Sequence, residues 1–180
     1  MPDVSVRPAL PQDADRIGMI HAATMRQATE AGLHGSLPPG VAAAFHQDHF
    51  VRLWRQAITA PPTPLHRVLT ALEGNTVVGF AALAPPEPLP GAPDEVARAA
   101  EVIALEVEVA RRGHGSRLLA AAADVARAQH ASALLAWCVR GDDARARFLS
   151  GAGFAPLGAR RAFDVGGAEL VQVAWWATLS

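Results

Sequence analysis

The chain has 180 residues, 51% of them hydrophobic, a mean hydropathy of +0.16 and a net charge of −1. That length and apolar content imply one packed soluble domain rather than a disordered segment, and the charge offers no general attraction to nucleic acid or to an anionic membrane. No apolar run reaches the roughly 18–20 residues of a membrane span, no basic-then-apolar signal pattern opens the chain, and a lone Cys138 excludes a disulfide framework and a cysteine zinc site; a cytoplasmic protein is expected.

In chain order, Val4–Pro8 reads as a short strand. Residues 12–28 read as a helix with Asp13 and Asp15 in its first turn, where negative charge is favoured. Residues 37–40 break the chain. A second helical run covers 41–59, with Phe45, His49, Leu53 and Trp54 near one face and Pro61, Pro62 and Pro64 ending it. Two strands follow at 67–72 and 77–83. The first ten residues of the proline-rich stretch 84–100 predict an exposed loop without regular structure. The run VIALEVEV at 102–109 predicts a core strand, the alanine-rich run after residue 115 predicts a helix reaching about His130, and 131–139 predicts another strand. Strands at 157–164 and 168–176 flank Gly166 and Gly167, a hairpin signal. There is no internal repeat and no sign of a second domain.

The most informative stretch is RRGHGSRLL at 111–119, between the core strand and the alanine-rich helix. A helix N-terminus presents unpaired backbone N–H groups and partial positive charge, which together bind an anion, usually a phosphate. Gly113 and Gly115 carry no Cβ to hold the backbone away from phosphate oxygens. The dinucleotide fingerprint fails, because Leu118 stands where its third glycine belongs and the strand at 131–139 ends in Val139 and Arg140 rather than an acid. The P-loop fails because the chain has no lysine. A phosphate-bearing cofactor that needs only a short glycine turn fits best, and a plain strand–helix turn is the alternative that the glycines alone leave open.

Residues 101–154 resemble the acyl-CoA-binding core of the GNAT acyltransferases. The family pattern is a strand with Leu105 and Val107, a glycine turn, a helix, a strand, and a helix ending in Phe148, Leu149, Gly153 and Phe154. Residues 6–23 are similar to the family's first strand and helix. Residues 66–83 are similar to its second and third strands, joined by a Gly-Asn hairpin, so essentially the whole chain is covered. The chain departs from the pattern in the turn. Ala110 stands where the family has Arg or Gln, unless Arg111 takes that part. Val109 stands where a proline is usual, and the connection is about two residues shorter. The resemblance implies an α/β fold with a single mixed, mostly antiparallel central sheet of about six to seven strands, helices on both faces and splayed central strands, over residues 1–180. It implies acetyl-CoA as cosubstrate, with the turn formed by Arg111, Arg112, Gly113, His114, Gly115 and Ser116 on its pyrophosphate and backbone N–H groups from Val107 to Val109 near its thioester carbonyl.

Acetyl transfer to an amine needs a base, a donor to the carbonyl oxygen and relief of charge on the departing thiolate. Many members of the family supply an acidic tyrosine at the position of Leu149, and this chain has no tyrosine. Water, Cys138 or Ser150 are the substitutes, with water favoured; Cys138, between Trp137 and Val139, also reads as a small buried hydrophobe. The base candidates are Glu106 and Glu108. They alternate with Leu105, Val107 and Val109 and so share one sheet face, with Glu108 nearer the turn; a solvated strand end is the alternative. His46, Asp48 and His49 lack a third metal ligand, so no metal is expected. His21 and Met25 read as core or pocket wall, Arg160 and Arg161 as a solvated strand end, and Arg145 and Arg147 as phosphate contacts or a solvated helix face. The expected function is N-acetyl transfer from acetyl-CoA to a primary amine of a small molecule or peptide by direct attack. The protein would act as a monomer or homodimer, with no nucleic-acid or membrane partner. The alternative is a non-catalytic acyl-CoA-binding or sensing module.

Overall fold

The structure, a computed structural model, describes residues 3–180. Seven strands form one sheet: β1 (Val4–Pro8), β2 (Arg67–Glu73), β3 (Thr76–Ala84), β4 (Ala99–Val107), β5 (Ala133–Val139), β6 (Ala155–Val165) and β7 (Ala168–Thr178). The helices are α1 (Ala14–Leu33), α2 (Gln47–Thr59), α3 (Asp94–Ala97), α4 (His114–Ala128) and α5 (Asp143–Gly151). The strand order is β1-β2-β3-β4-β5-β7-β6, and every neighbouring pair is antiparallel except β4–β5. This is the mixed, mostly antiparallel sheet that the sequence implies.

Helices cover both faces. Leu118, Leu119, Ala122 and Ala126 of α4, with Leu149 of α5, pack on Ala81, Leu83, Val102, Leu105, Leu134 and Cys138. On the other face Ile17 and Ile20 of α1 and Phe50 and Trp54 of α2 pack on Val77, Phe80, Ala82 and Ala104. A third cluster (Val96, Ala99, Ala133, Leu135, Ala174) extends the core beneath the irregular segment 85–93. Among the described residues no helix is long and apolar enough to cross a membrane.

Asp13 fixes the start of α1. Its carboxylate accepts the Leu10 N–H at 2.7 Å and two N–H groups of Arg7 at 2.7 and 3.1 Å, tying the helix to β1. Burial opposes ionisation of Asp13, but the Arg7 guanidinium and the Leu10 N–H outweigh it and hold the carboxyl below its ordinary value. A carboxylate with a lowered folded pKa adds stability above its unfolded value, and that stability is lost as pH falls through the folded value. Arg7→Met is therefore expected to cost about 1–3 kcal/mol at pH 7 and much less near pH 2, measured by urea unfolding at both.

Helix α1 runs to Leu33, five residues past the expected end, and closes on His34 in the left-handed conformation with φ 55°. Gly32 is a close contact: a Cβ there would come within 2.5 Å of Val139 and Leu170. The second helical run is divided, with a 3-10 turn at Ala42–Phe45 and an extended His46 capping α2. Strand β4 is displaced from 102–109. It starts at Ala99, where it pairs with β5, and ends at Val107; Glu108 and Val109 belong to the turn, although the Glu108 N–H still reaches Val78 O at 2.9 Å.

Two irregularities in β4 shape the site. The β3–β4 register steps from Leu83↔Val102 to Ala82↔Ala104, so Ile103 is an extra residue and stands 50% exposed. Such a bulge bends and twists its strand. The parallel β4–β5 ladder then lasts only from Ala99↔Ala133 to Val102↔Ala136, and the two strands separate beyond it.

Candidate active site

One end of the site is the turn after β4. Arg111 and Gly113 both take positive φ, 65° and 78°, which swings the chain tightly into α4. Gly113 is the N-cap, and no side chain caps the helix. The first-turn N–H groups, which have no partner within the helix, thus open outward. Gly115 lies inside the first turn of α4. A Cβ there would touch only the Phe148 ring, at 3.5 Å, so no packing demand of the protein itself requires glycine; the space it leaves suits an anion approaching the backbone. Arg111, Arg112, Ser116 and Arg117 are exposed around this turn. His114 differs from expectation. Its side chain is buried, with Nε2 3.8 Å from Glu73, so it offers a ligand only its backbone; with Arg112, 3.6 Å from the same carboxylate, it anchors the turn to β2.

The other end is the gap between β4 and β5. Hydrogen-bonded and non-bonded pairs alternate along the antiparallel β3–β4 ladder. Since Glu108 donates to Val78, the intervening Val107 and Leu105 direct their backbone groups away from β3, into the gap. Arg145 of α5 confirms this for Leu105, whose carbonyl oxygen accepts Nη1 at 2.6 Å. Nη2 of the same guanidinium donates to Glu106 Oε1 at 2.7 Å. Burial weakens the charge on Arg145, and Glu106 more than restores it. Arg145 is thus neither a phosphate contact nor part of a solvated face; it spans the gap.

His21, Met25, Trp137 and Cys138 also line the gap. His21 Nδ1 accepts the Trp54 indole N–H at 2.9 Å, and burial pushes its pKa down, so the neutral ring carries its proton on Nε2. Burial, with Asp142 adding to it, pushes the Cys138 thiol up to about 11. A thiol that weakly acidic is a poor proton donor to an ordinary thiolate with a pKa of about 8.5. Ser150 is exposed on α5 and does not line the gap.

The two carboxylates singled out in the sequence are both engaged by guanidinium groups. Glu106 holds Arg145, and Glu108, 44% exposed, holds Arg16 of α1 at 2.8 Å. An oxygen occupied by a guanidinium is poorly placed to take a proton from an amine. Glu101, which sequence reasoning passed over, is different. It is 7% exposed and sits one residue before the last β4–β5 pair, in the closed part of the ladder and not in the lining of the gap. Burial raises its pKa; Arg161 opposes this and Glu87 adds to it. Its signal was present in the sequence, since it lies on β4 two residues from Ile103, but a strand begun at 102 leaves it outside. Arg161 is not a solvated strand end either: it stacks 4.2 Å from the Trp137 ring and donates to Gln172 Oε1 at 2.7 Å. Trp175 and Trp176 face opposite sides, as their adjacency in a strand requires. His46 caps α2, accepting the Asp48 N–H at 3.4 Å.

A family model described as acetyltransferase (GNAT) family matches residues 22–154. No curated protein matches the sequence. Among solved structures, a Salmonella typhimurium protein named as an acetyltransferase and solved with its cofactor acetyl-CoA is 20% identical, with a TM-score of 0.67 over 99% of this chain and 95% of that one. An N-acetyltransferase from Staphylococcus aureus is 15% identical, with a TM-score of 0.62 over 99% of both chains. A ribosomal-protein-alanine N-acetyltransferase from Brucella melitensis is 18% identical, with a TM-score of 0.63 over 97% and 99%. These neighbours share the fold, and the family match spans the helix, strands and turn that build the site: the chain belongs to the GNAT acetyltransferase family.

Proposed function

We propose that the protein transfers an acetyl group from acetyl-CoA to the primary amine of a small molecule or peptide, by direct attack and without an acyl-enzyme. The observation that carries this is the continuity of β4: an uncapped glycine turn lies at its end, and the gap opened by its separation from β5 lies beside it. When bound, acetyl-CoA supplies an activated acyl thioester. The N–H groups of Gly113 to Ser116 hold the pyrophosphate, and Arg111 and Arg112 add positive charge beside it. Val107, whose N–H is directed into the gap, hydrogen-bonds the acyl oxygen, and Val109 follows it in the turn. The Glu108 N–H is already donated to Val78.

Glu101 is the base in this reading, taking the ammonium proton through water, since it lies in the paired ladder next to Val102 rather than in the lining of the gap, and burial makes it a stronger base than an ordinary carboxylate. Glu106 and Glu108 hold Arg145 and Arg16 in place. The acceptor site is formed by α1 around Met25, the segment 85–93 and the β6–β7 hairpin, and the reading keeps the protein in the cytoplasm. A thermal-shift series with acetyl-CoA, CoA, NAD and ATP tests it. The two CoA species are expected to raise the midpoint, since a ligand at 100 times its Kd stabilises the native state by about 2.7 kcal/mol, and NAD and ATP are not. No shift with either CoA species would overturn the reading.

The buried Leu149 at the usual tyrosine position favours a second reading, a non-catalytic acyl-CoA sensor. A midpoint shift without thiol release in the presence of any amine would select it.

A further inference from the structure

We propose that Arg145 is a catalytic residue of this acetyltransferase, its guanidinium receiving the departing thiolate in the β4–β5 gap and so replacing an acidic hydroxyl with a fixed positive charge. The inference rests on the acetyl-CoA reading above. Three observations carry it. Arg145 lies one helical turn before Leu149, so the two side chains leave α5 on the same face, and both line the gap. The guanidinium is held rather than mobile: Leu105 O and Glu106 Oε1 fix it at 2.6 and 2.7 Å, and the side chain is 23% exposed. These two bonds use two of its five N–H groups, which leaves donors for an anion.

No neutral acid competes for the role. The chain has no tyrosine, Ser150 does not line the gap, and the Cys138 thiol holds its proton too tightly. The chemistry balances without a proton from the protein. The amine nitrogen bonds to the acyl carbon as the carbon–sulfur bond breaks, and the electron pair passes to sulfur. The sulfur anion pairs with the guanidinium, and the proton lost by the amine goes to water, and through it to Glu101. Arg145 gives up no proton, as its very high pKa requires. Glu106 is a positioning residue that sets the guanidinium plane.

The test reads the thiol of bound CoA directly and needs no turnover. CoA is bound to the protein, and its thiolate absorbance is followed against pH, with the protein alone as reference; Cys138 titrates above the window. A cation within about 4–6 Å lowers an acid's pKa by about 1–3 units, so the bound thiol is expected to titrate at least about one unit below free CoA. Arg145→Gln returns it to the free value or above it, since the Glu106 carboxylate is left without its partner, and Arg145→Lys, which keeps the charge, retains part of the lowering. A lowered value that survives Arg145→Gln, or a wild-type value at or above that of free CoA, overturns the inference. Because Arg145→Gln leaves Glu106 unpaired, the double variant E106Q/R145Q provides the same readout with both charges removed. Failure of wild-type protein to bind CoA at all would overturn the acetyl-CoA reading instead, a result that calorimetry separates from the thiol titration.

Discussion

Gly113→Asp is expected to weaken acetyl-CoA binding by at least about 100-fold, the largest single effect on the cosubstrate site, because like charges brought together cost several kcal/mol. The substitution acts on the backbone and on the charge at once. Gly113 holds φ 78° as the N-cap of α4, a conformation in which side chains are strained but aspartate is tolerated. Its carboxylate would fold back on the first-turn N–H groups and cap the helix, taking the donors that the pyrophosphate needs and placing negative charge among them. The fold should survive. An added Cβ would meet only the Arg117 guanidinium, at 3.0 Å, which is the far end of an exposed, flexible side chain. Calorimetric titration of acetyl-CoA, with the thermal midpoint as the control for folding, checks both halves. Unchanged affinity would remove the turn from the account.

Glu101→Gln is expected to lower kcat by about 10²–10⁴-fold, the range for removing a general base, while making the protein more stable. Both effects come from the same burial. A carboxyl buried at 7% exposure is pushed above its ordinary value, so it is protonated more readily in the folded chain than in the unfolded one. Folding is then favoured in full below the unfolded value of about 4.3, and part of that stability is lost as pH rises through the folded value. Glutamine removes the loss, so the variant's midpoint should exceed wild type at pH 7 and match it near pH 3. In kinetics, the wild-type rate should rise with pH through the folded value of Glu101, above the ordinary carboxylate range, and the variant should lack that limb. A variant with wild-type kcat and an unchanged acidic limb would return the base to water or to another side chain.

Much of this site was legible in the sequence. Gly113 and Gly115 after an apolar strand marked the turn, the β2–β3 hairpin and the β6–β7 hairpin lie where their glycines put them, and the mixed, mostly antiparallel sheet was implied by the family resemblance. What was not legible depends on contacts between distant residues. The start of β4 at Ala99 is decided by its ladder with β5, more than thirty residues away, and Glu101 belongs to the strand only through that ladder. Alternation put Glu106 and Glu108 on one face of a strand that in fact ends at Val107, and it could not show that Arg145 and Arg16 reach them from helices far along the chain. The inward turn of Arg161 onto Trp137 and the burial of His114 against Glu73 have the same origin. Gly32 carries the same lesson for packing. A glycine near a helix end resembles a stop, yet here it lets α1 press against β5 and β7.

The central claim, amine acetylation from acetyl-CoA, is tested most directly by measuring free thiol released when wild-type protein meets acetyl-CoA with and without a panel of primary amines. The account predicts release that depends on an amine and saturates with it. Acetyl-CoA that binds but yields no amine-dependent thiol across amino acids, polyamines, aminoglycosides and peptide N-termini would contradict it.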